Sequence, residues 1–285
     1  MKKLALLLLF TLLTLSGAAL LGAWYVGAWN LIFPNDQHDS QAPRLPANLQ
    51  QPAILVFSKT NSFRHRDGIA GGLQALETIG DNNDWSIFAT ENGAVFNSEQ
   101  LAKFSAVVFL NASGDMLSEP QEAAFESWLA AGDGSHKGWS WYGQNLIGAD
   151  FTAHILRPQF QVARVEVESP GHPVAQGLPA TWEHEEEWYS WERSPRARGF
   201  NVLMTIDESS YSPIQNGPGF ERDLRMGDHP VVWTNCLGQG KTVYSALGHQ
   251  KEAFEAPQHL QLLQSALIWL IDSDQPCRKT DTALQ

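Results

Sequence analysis

Residues 53–131 contain three short apolar runs that alternate with segments of helical spacing. The runs Ala53–Phe57, Trp85–Thr90 and Ala106–Leu110 predict strands, and the first and third have no polar residue, as expected of strands that are buried on both faces. The segment Gly68–Gly80 has apolar residues three or four positions apart, which predicts a helix. Strands that alternate with helices usually pair in parallel. The order therefore predicts an α/β domain with a three-layer, mostly parallel, doubly wound sheet.

Two short helices are predicted on either side of the third run. They begin at Ser98 and Ser118, because a serine hydroxyl can accept a hydrogen bond from the free N–H groups of a first helical turn. Pro120 suits the first turn of the second helix. The rest of the chain predicts four strands and a closing helix, at Phe160–Val167, Val202–Ile206, Val231–Asn235, Lys241–Ala246 and Ala256–Ile271.

No charged residue occurs between Leu4 and Phe33. A run of about 20 apolar residues crosses a bilayer, whereas the core of a signal peptide is usually about 7–15 residues long, so this run predicts an uncleaved signal anchor. Lys2 and Lys3 favour a cytoplasmic N-terminus, which places the domain on the periplasmic or extracellular side of the cell membrane. Cleavage after a small residue such as Ala18 is the alternative.

The composition divides the chain into four parts. Residues 1–33 form the predicted transmembrane segment. Residues 34–52 hold four prolines and several amides, which predicts an extended linker. Residues 53–271 form the α/β domain, and the polar residues 272–285 are predicted to be a disordered tail.

The chain has two cysteines, Cys236 and Cys277, and their spacing matches no metal-binding motif. A disulfide between them is allowed outside the cytoplasm. The sequence alone favours the other possibility, two separate and partly buried thiols.

Charge and missing motifs exclude several classes of function. The formal net charge of −12 argues against nucleic acid as a partner, because phosphate groups repel an acidic surface. The sequence has no Gly-x-Ser-x-Gly or Gly-x-Cys-x-Gly elbow, no phosphate-binding loop and no His-Glu-x-x-His motif. What remains is the chemistry of histidine with carboxylates, or binding alone.

Polar residues near the ends of predicted strands are the candidates for a site, because ligands of open α/β sheets gather at the carboxyl ends of the strands. Four clusters stand out: Ser62–His65; Gly132–His136 with Trp139, Trp141, Tyr142 and His154; Glu183–Tyr189; and Asp228–His229 with Gly248–His249. Crowded carboxylates, as in the third cluster, can act as acids, bases or metal ligands.

Each cluster also has a structural interpretation. The first could be a solvated loop, the second a glycine-rich turn before an aromatic core helix, and the third a solvated face. In the fourth cluster, His249 follows the end of a strand and is a better candidate than His229.

A series of short motifs follows one order along residues 53–271. The motifs are Val56–Thr60, Phe63–His65, Val107–Leu110, Ser113–Asp115, Gly134–His136, Trp141–Tyr142, Ile147–Ala149 with Phe151 and His154, His172–Pro173, Gly177–Pro179, Glu186–Tyr189, Asp228–Pro230 with Trp233, and Gly240–His249. Each motif is weak, but their joint order resembles that of the trehalose-utilisation (ThuA-like) family.

The resemblance implies a class I glutamine-amidotransferase-like fold, of the flavodoxin-like type, without the glutaminase nucleophile. It also implies a link to the catabolism of trehalose and oxidised disaccharides. In one place the chain departs from the family, whose members have a glycine-rich turn and a buried apolar strand after the helix that here ends at Ala131. This chain continues directly to Gly132–His136, so about ten residues, one strand and its turn, are missing. We therefore expect the sheet to lack one central strand.

The leading hypothesis is a membrane-anchored domain that acts on, or binds, a disaccharide or keto-sugar. The candidate catalytic residues are His136, Glu187 and His249, which would exchange protons with a sugar oxygen. The candidate ligand-binding residues are Arg64, His65, Trp141, Tyr142 and His154. A divalent metal such as Zn²⁺ could be held by some of the histidines. The alternative is a non-catalytic sugar-binding or scaffolding module that is degenerate because of the missing strand.

Overall fold

A long exposed helix opens the computed structural model, which describes residues 2–130, 139–217, 219–275 and 277. This helix, α1 (Lys2–Tyr25), has 24 residues, none of them buried. It is long and apolar enough to cross a membrane, a test that a signal sequence also passes. A short helix, α2 (Trp29–Ile32), follows it. The chain therefore carries the predicted apolar helix at its N-terminus.

The first half of the domain alternates strands with helices. Its elements are β1 (Ala53–Phe57), α3 (Arg66–Asn82), β2 (Ser86–Thr90), α4 (Ser98–Leu101), β3 (Ala106–Phe109) and α5 (Glu119–Ala130). The three strands pair in parallel in the order β2-β1-β3, and every residue of the central strand β1 is buried. The parallel pairing predicted for the three apolar runs is confirmed.

The helices of this half follow from local sequence. Leu76 and Ile79 of α3 pack on Val56 of β1 in one apolar cluster, as their helical spacing predicts. Helix α4 differs from the prediction in its cap, because the side chain of Asn97, and not the hydroxyl of Ser98, accepts the hydrogen bond from Gln100 N. Asparagine and serine cap equally well, and the helix begins one residue earlier than the serine alone would indicate.

The second half of the domain is antiparallel. Its elements are β4 (Phe151–His154), β5 (Gln161–Val167), β6 (Thr181–Glu186), β7 (Tyr189–Trp191), β8 (Asn201–Asp207), β9 (Ile214–Gly217), β10 (Phe220–Asp223), β11 (Pro230–Leu237), β12 (Gly240–Ser245) and α6 (Pro257–Ile271). Five strands form a sheet in the order β12-β11-β8-β5-β6, and all its pairs are antiparallel. The prediction of a mostly parallel sheet is wrong here. The short turn between β11 and β12 can join only antiparallel neighbours.

The sequence prediction misses strand β6. Its residues alternate between exposed and buried positions, with Trp182, His184 and Glu186 inside. Such alternation is the mark of a half-buried strand, but two of the three buried residues are ionisable, which made the segment look like a solvated run of carboxylates. The interpretation of this segment as a solvated face is wrong for Glu186 and Glu187, which are 0% and 2% exposed.

A cavity marks the boundary between the two sheets. Among the described residues, β3 has no strand on its outer side, and neither has β12. A cavity of about 780 Å³ is lined by both strands and by side chains of α5 and α6. The sequence predicts that one central strand of the sheet is missing at this place. Residues 131–138, which precede Trp139, lie outside the described residues.

The segment predicted as a linker lies against the domain. Asp39 accepts hydrogen bonds from Lys59 Nζ at 2.6 Å and from Gly93 N at 2.8 Å. Leu45 and Leu49 pack on the apolar cluster around β1. The prolines keep this segment extended, and its contacts through Asp39, Leu45 and Leu49 hold it against the domain surface.

The two cysteines form a disulfide. The Sγ atoms of Cys236 in β11 and Cys277 are bonded to each other across 41 positions of sequence. The sequence interpretation of two separate thiols is wrong, because the fold brings the chain that follows α6 back to β11. The bond ties the beginning of the predicted tail to the five-stranded sheet.

We expect the double substitution Cys236→Ala/Cys277→Ala to lower the free energy of unfolding by about 2–4 kcal/mol, because a disulfide that closes a loop of this length restricts the unfolded chain. Urea denaturation of the oxidised protein and of the variant gives the difference. Dithiothreitol should shift the midpoint of the unreduced protein and leave that of the variant unchanged. An equal midpoint for both proteins would contradict the prediction.

Candidate functional site

His65 lies where the loop after β1 meets helix α3. The helix begins at Arg66, and the carbonyl oxygen of His65 accepts a hydrogen bond from Ile69 N at 2.9 Å, which fixes the backbone at this position. The imidazole packs against the ring of Phe63 and the ring of His249, each with a centroid distance of 4.8 Å. The loop after β1 and the turn after β12 therefore meet at this histidine.

Glu186 at the end of β6 binds the turn that carries His249. Its carboxylate accepts hydrogen bonds from His249 Nδ1 at 2.9 Å and from Gly248 N at 2.5 Å. Gly248 has φ of +114°, a conformation that favours glycine, and Asn111 holds its carbonyl oxygen. Burial raises the pKa of Glu186, but His249, His184 and the Gly248 N–H outweigh it and hold the pKa well below its usual range.

Glu187 is the second buried carboxylate, and it binds a different histidine. Its Oε1 lies 2.7 Å from His154 Nδ1, and its Oε2 lies 3.8 Å from His65 Nε2. Gln159 donates a further hydrogen bond to it at 3.1 Å. Burial raises the pKa of Glu187, but the hydrogen bond from His154 leads the opposing effects and the net pKa is lowered.

The two histidines nearest to Glu187 differ in their proton affinity. Burial and, after it, the charge of the neighbouring His249 lower the pKa of His65 to about 4, against the opposing charges of Glu187 and Glu186. Burial also lowers the pKa of His154, but its hydrogen bond with Glu187 outweighs burial and leaves the pKa above the ordinary value of 6.5. At neutral pH the site thus pairs a neutral imidazole, His65, with a largely ionised Glu187 beside it.

Tyr189 completes the cluster from strand β7. Its hydroxyl lies 3.3 Å from His65 Nε2, and its ring lies 4.3 Å from that of His249. Burial raises the pKa of Tyr189, so the phenol keeps its proton and can donate it in a hydrogen bond. The backbone of Tyr189 is held in place by His229, whose Nε2 contacts its carbonyl oxygen at 2.8 Å.

These side chains place proton donors and a proton acceptor next to one another. The neutral imidazole of His65 can accept a proton, and the His154–Glu187 pair can supply one. The buried His249–Glu186 pair and the hydroxyl of Tyr189 lie beside His65. An arrangement of titratable groups whose environments push their pKa values apart is typical of sites of acid–base chemistry.

The family comparison identifies the class to which this chain belongs. Residues 53–270 match the model of the ThuA family, described as trehalose utilisation. The chain belongs to the ThuA family. No curated protein matches it.

Two solved structures share the fold of this ThuA-family chain. A ThuA-like protein from Bacteroides uniformis has 23% sequence identity and a TM-score of 0.64, over 81% of this chain and 95% of its own. A ThuA-like protein from Parabacteroides merdae has 17% identity and a TM-score of 0.57, over 82% and 94% of the two chains. These likenesses establish the fold of the ThuA domain.

The structure brings four of the residues singled out from the sequence into this cluster: His65, His154, Glu187 and His249. Arg64 points elsewhere, to Glu91, which it contacts at 2.6 Å. Trp141 and Tyr142 pack against the apolar cluster beside β1 and β3, and Tyr142 lines the cavity between the sheets. His136 lies outside the described residues. Roles of these four side chains in binding or catalysis stay predictions.

Within the part of the chain that the structure describes, no group of three or more histidine, cysteine or carboxylate side chains is arranged to hold a metal ion. The Nδ1 atoms of His154 and His249 already contact Glu187 and Glu186. The zinc site inferred from the sequence stays a prediction without a complete set of ligands, and we derive no step through a metal.

Two residues of the cluster escaped the choice of site residues. Glu186 and Tyr189 belong to the third sequence cluster, Glu183–Tyr189, and to the family resemblance, but of that cluster only Glu187 is among the predicted site residues. The alternation of Trp182, His184 and Glu186 along β6 is the signal that could have placed Glu186 inside the domain.

We expect Glu187→Gln to lower the pKa of His154 from above 6.5 to below it. The substitution removes the charge and the hydrogen-bond acceptor that offset burial, and burial favours the neutral imidazole. The pKa of His65 should also fall, because Glu187 is the charge that raises it. Histidine-labelled protein followed by NMR through a pH titration measures both values.

The matched control is Glu185→Gln, two positions before Glu187 and on strand β6, where the carboxylate is exposed and accepts a hydrogen bond from Gln250 Nε2 at 3.3 Å. This control should leave both histidines unchanged. A His65 signal that titrates near 6.5 in the unmodified protein, or a His154 signal unmoved by Glu187→Gln, would show that the side chains are not arranged as described.

Proposed function

We propose that this chain is a membrane-anchored ThuA domain that takes part in carbohydrate utilisation, and that it acts on a sugar of the trehalose or keto-disaccharide type. The family supports the sugar class through its link to trehalose utilisation. The observation that carries the proposal is the neutral His65 beside the buried His154–Glu187 pair, at the carboxyl edge of the parallel sheet.

The cluster suits proton transfer on a keto-disaccharide. The hydrogen on the carbon next to a sugar carbonyl is acidic, and the neutral imidazole of His65 takes it. The electron pair of that C–H bond forms a double bond while the neighbouring glycosidic C–O bond breaks. The leaving oxygen receives its proton from His154, whose pKa is raised by Glu187, and the hydroxyl of Tyr189 donates a hydrogen bond to the carbonyl oxygen.

Two observations support a position of the domain outside the cytoplasm. Lys2 and Lys3 begin helix α1, ahead of its apolar run, and such charges favour the cytoplasmic side for the N-terminus. The disulfide between Cys236 and Cys277 is of the kind that persists in oxidising compartments. The acidic net charge of −12 also supports a partner other than nucleic acid.

The second candidate is a non-catalytic sugar-binding or scaffolding module. The cavity between β3 and β12 favours it, because among the described residues no strand pairs with the outer side of β3, where the family resemblance implies one. A module of this kind binds the same sugars and leaves them unchanged.

We expect the purified protein to convert 3-keto-trehalose more readily than trehalose, because only the keto-sugar has an acidified carbon-bound hydrogen. His65→Gln and Glu187→Gln should reduce the rate by about 100-fold or more, the range typical of general acid–base groups. Glu185→Gln should retain the rate, and parallel assays with a chelator measure any dependence on metal.

Calorimetry and product analysis separate the candidates. Binding without conversion, weakened by His65→Gln, would favour the non-catalytic module. Unchanged sugars together with no measurable binding of either sugar would overturn both.

A further inference from the structure

The end of the membrane helix is docked on the loop that carries His65. Arg64 N donates a hydrogen bond to Gly27 O at 2.9 Å, and the Nη2 of Arg66 donates one to Trp24 O at 3.0 Å. The guanidinium of Arg66 also lies 4.5 Å from the centroid of the Trp24 ring, a favourable cation–π contact. Gly27 has φ of +83°, and a Cβ there would overlap Arg64 O, so this close approach requires glycine.

The chain beyond this point stays on the same edge of the parallel sheet. Asn35 Nδ2 donates to Asn61 Oδ1 at 3.2 Å, in the loop after β1. His38 Nε2 contacts Asp115 Oδ1 at 3.2 Å, in the loop after β3. Both loops leave the carboxyl ends of their strands, where His65 also lies. The membrane helix therefore leaves the domain on the edge that holds the site.

The site is consequently close to the level of the membrane surface. Helix α1 has 24 residues and a length of about 36 Å, slightly more than the thickness of about 30 Å of the hydrocarbon layer. Trp24 and Tyr25 at its end are residue types that settle at the membrane interface. Arg64 and Arg66, on either side of His65, contact this end of the helix.

Exposed apolar side chains surround the strand that carries His154. Phe151 and Leu156 are 50% and 59% exposed, and the Phe151 ring lies 4.5 Å from that of Tyr189. Leu156 N bonds to Gln215 in β9, the strand paired with β10, on which Phe220 is 54% exposed. Apolar groups grouped at a surface beside a membrane anchor are stabilised by burial at the lipid interface.

We propose that the rim formed by Phe151, Leu156 and Phe220 rests on the membrane that α1 enters, and that the sugar taken by the site is the head group of a glycolipid in that membrane. The class of substrate rests on the function proposed above, whereas the contact of the rim with lipid does not. Phe151 is linked to the docked end of α1 through Tyr189, His65 and the adjacent Arg64, and this link to the membrane anchor selects lipid as the occupant of the surface.

The contact with lipid is tested with the full chain in phosphatidylcholine vesicles. Both cysteines of the chain are in the disulfide, so Leu156→Cys, Phe220→Cys or Ile268→Cys each supplies a single thiol for a nitrobenzoxadiazole label. Ile268 is the matched control, because it is 42% exposed but lies on α6. We expect brominated lipid to quench the labels at 156 and 220 and to spare the label at 268. Equal quenching at the three positions, or none, would overturn the docking of the rim.

The substrate class is tested by comparing the rate of conversion of a keto-disaccharide carried on diacylglycerol in these vesicles with that of the same keto-disaccharide free in solution. We expect at least about a tenfold preference for the lipid-borne sugar, because confinement to the surface raises its effective concentration. Leu156→Ser/Phe220→Ser should remove this preference and keep the response to the free sugar, whereas Ile268→Ser should change neither. A preference for the free sugar would overturn the glycolipid class alone, and no response to either sugar would overturn the proposed function while the labels still report on the rim.

Discussion

The buried carboxylate of Glu186 connects the two edge strands of the five-stranded sheet at the site. It lies at the end of β6 and accepts hydrogen bonds from Gly248 N and from the backbone and ring of His249, in the turn after β12. A carboxylate that is 0% exposed is tolerated only when its oxygens are fully bonded. Removal of one partner from such a pair typically costs about 3–5 kcal/mol. The position of His249, and through it that of His65, depends on this interaction.

The neighbouring carboxylate of Glu187 gives the site its chemistry. Adjacent residues of a strand normally point to opposite faces, yet Glu186 and Glu187 are both buried because the strand β6 ends between them. Glu186 therefore contacts His249, and Glu187 contacts His154. His65 lies between these pairs, with its Nε2 3.8 Å from Glu187 Oε2, and burial keeps it neutral. The different protonation of His65 and His154 follows from the different carboxylate contacts of the two histidines.

The parallel sheet gathers these groups at one edge together with the end of the apolar helix α1. The loops after β1 and β3 leave that edge, and residues 24–39 pack on both loops. Within the described part of the chain, the same sheet ends at β3, and the cavity lies along the outer side of this strand. An apolar cavity of this size weakens a core, because the side chains around it lose contacts. The cluster around His65 and the cavity are therefore neighbours, joined through Asn111 and Leu247, which line the cavity next to Gly248.

Local sequence was sufficient to predict the elements whose own consecutive residues carry a recognisable pattern. The buried runs of β1 and β3, the helical spacing of α3 and the apolar length of α1 each appear in consecutive residues, so periodicity alone determined them. The ordered motifs also placed His65, His154, Glu187 and His249 among the candidates. Only the tertiary structure decided that β6 is a strand with Glu186 inside, that the larger sheet is antiparallel, and that Cys236 reaches Cys277. The physical reason is common to the three: the burial of Glu186, the pairing of β8 with β11 and the bonding of Cys236 depend on partners more than 20 positions away, and no local pattern contains them.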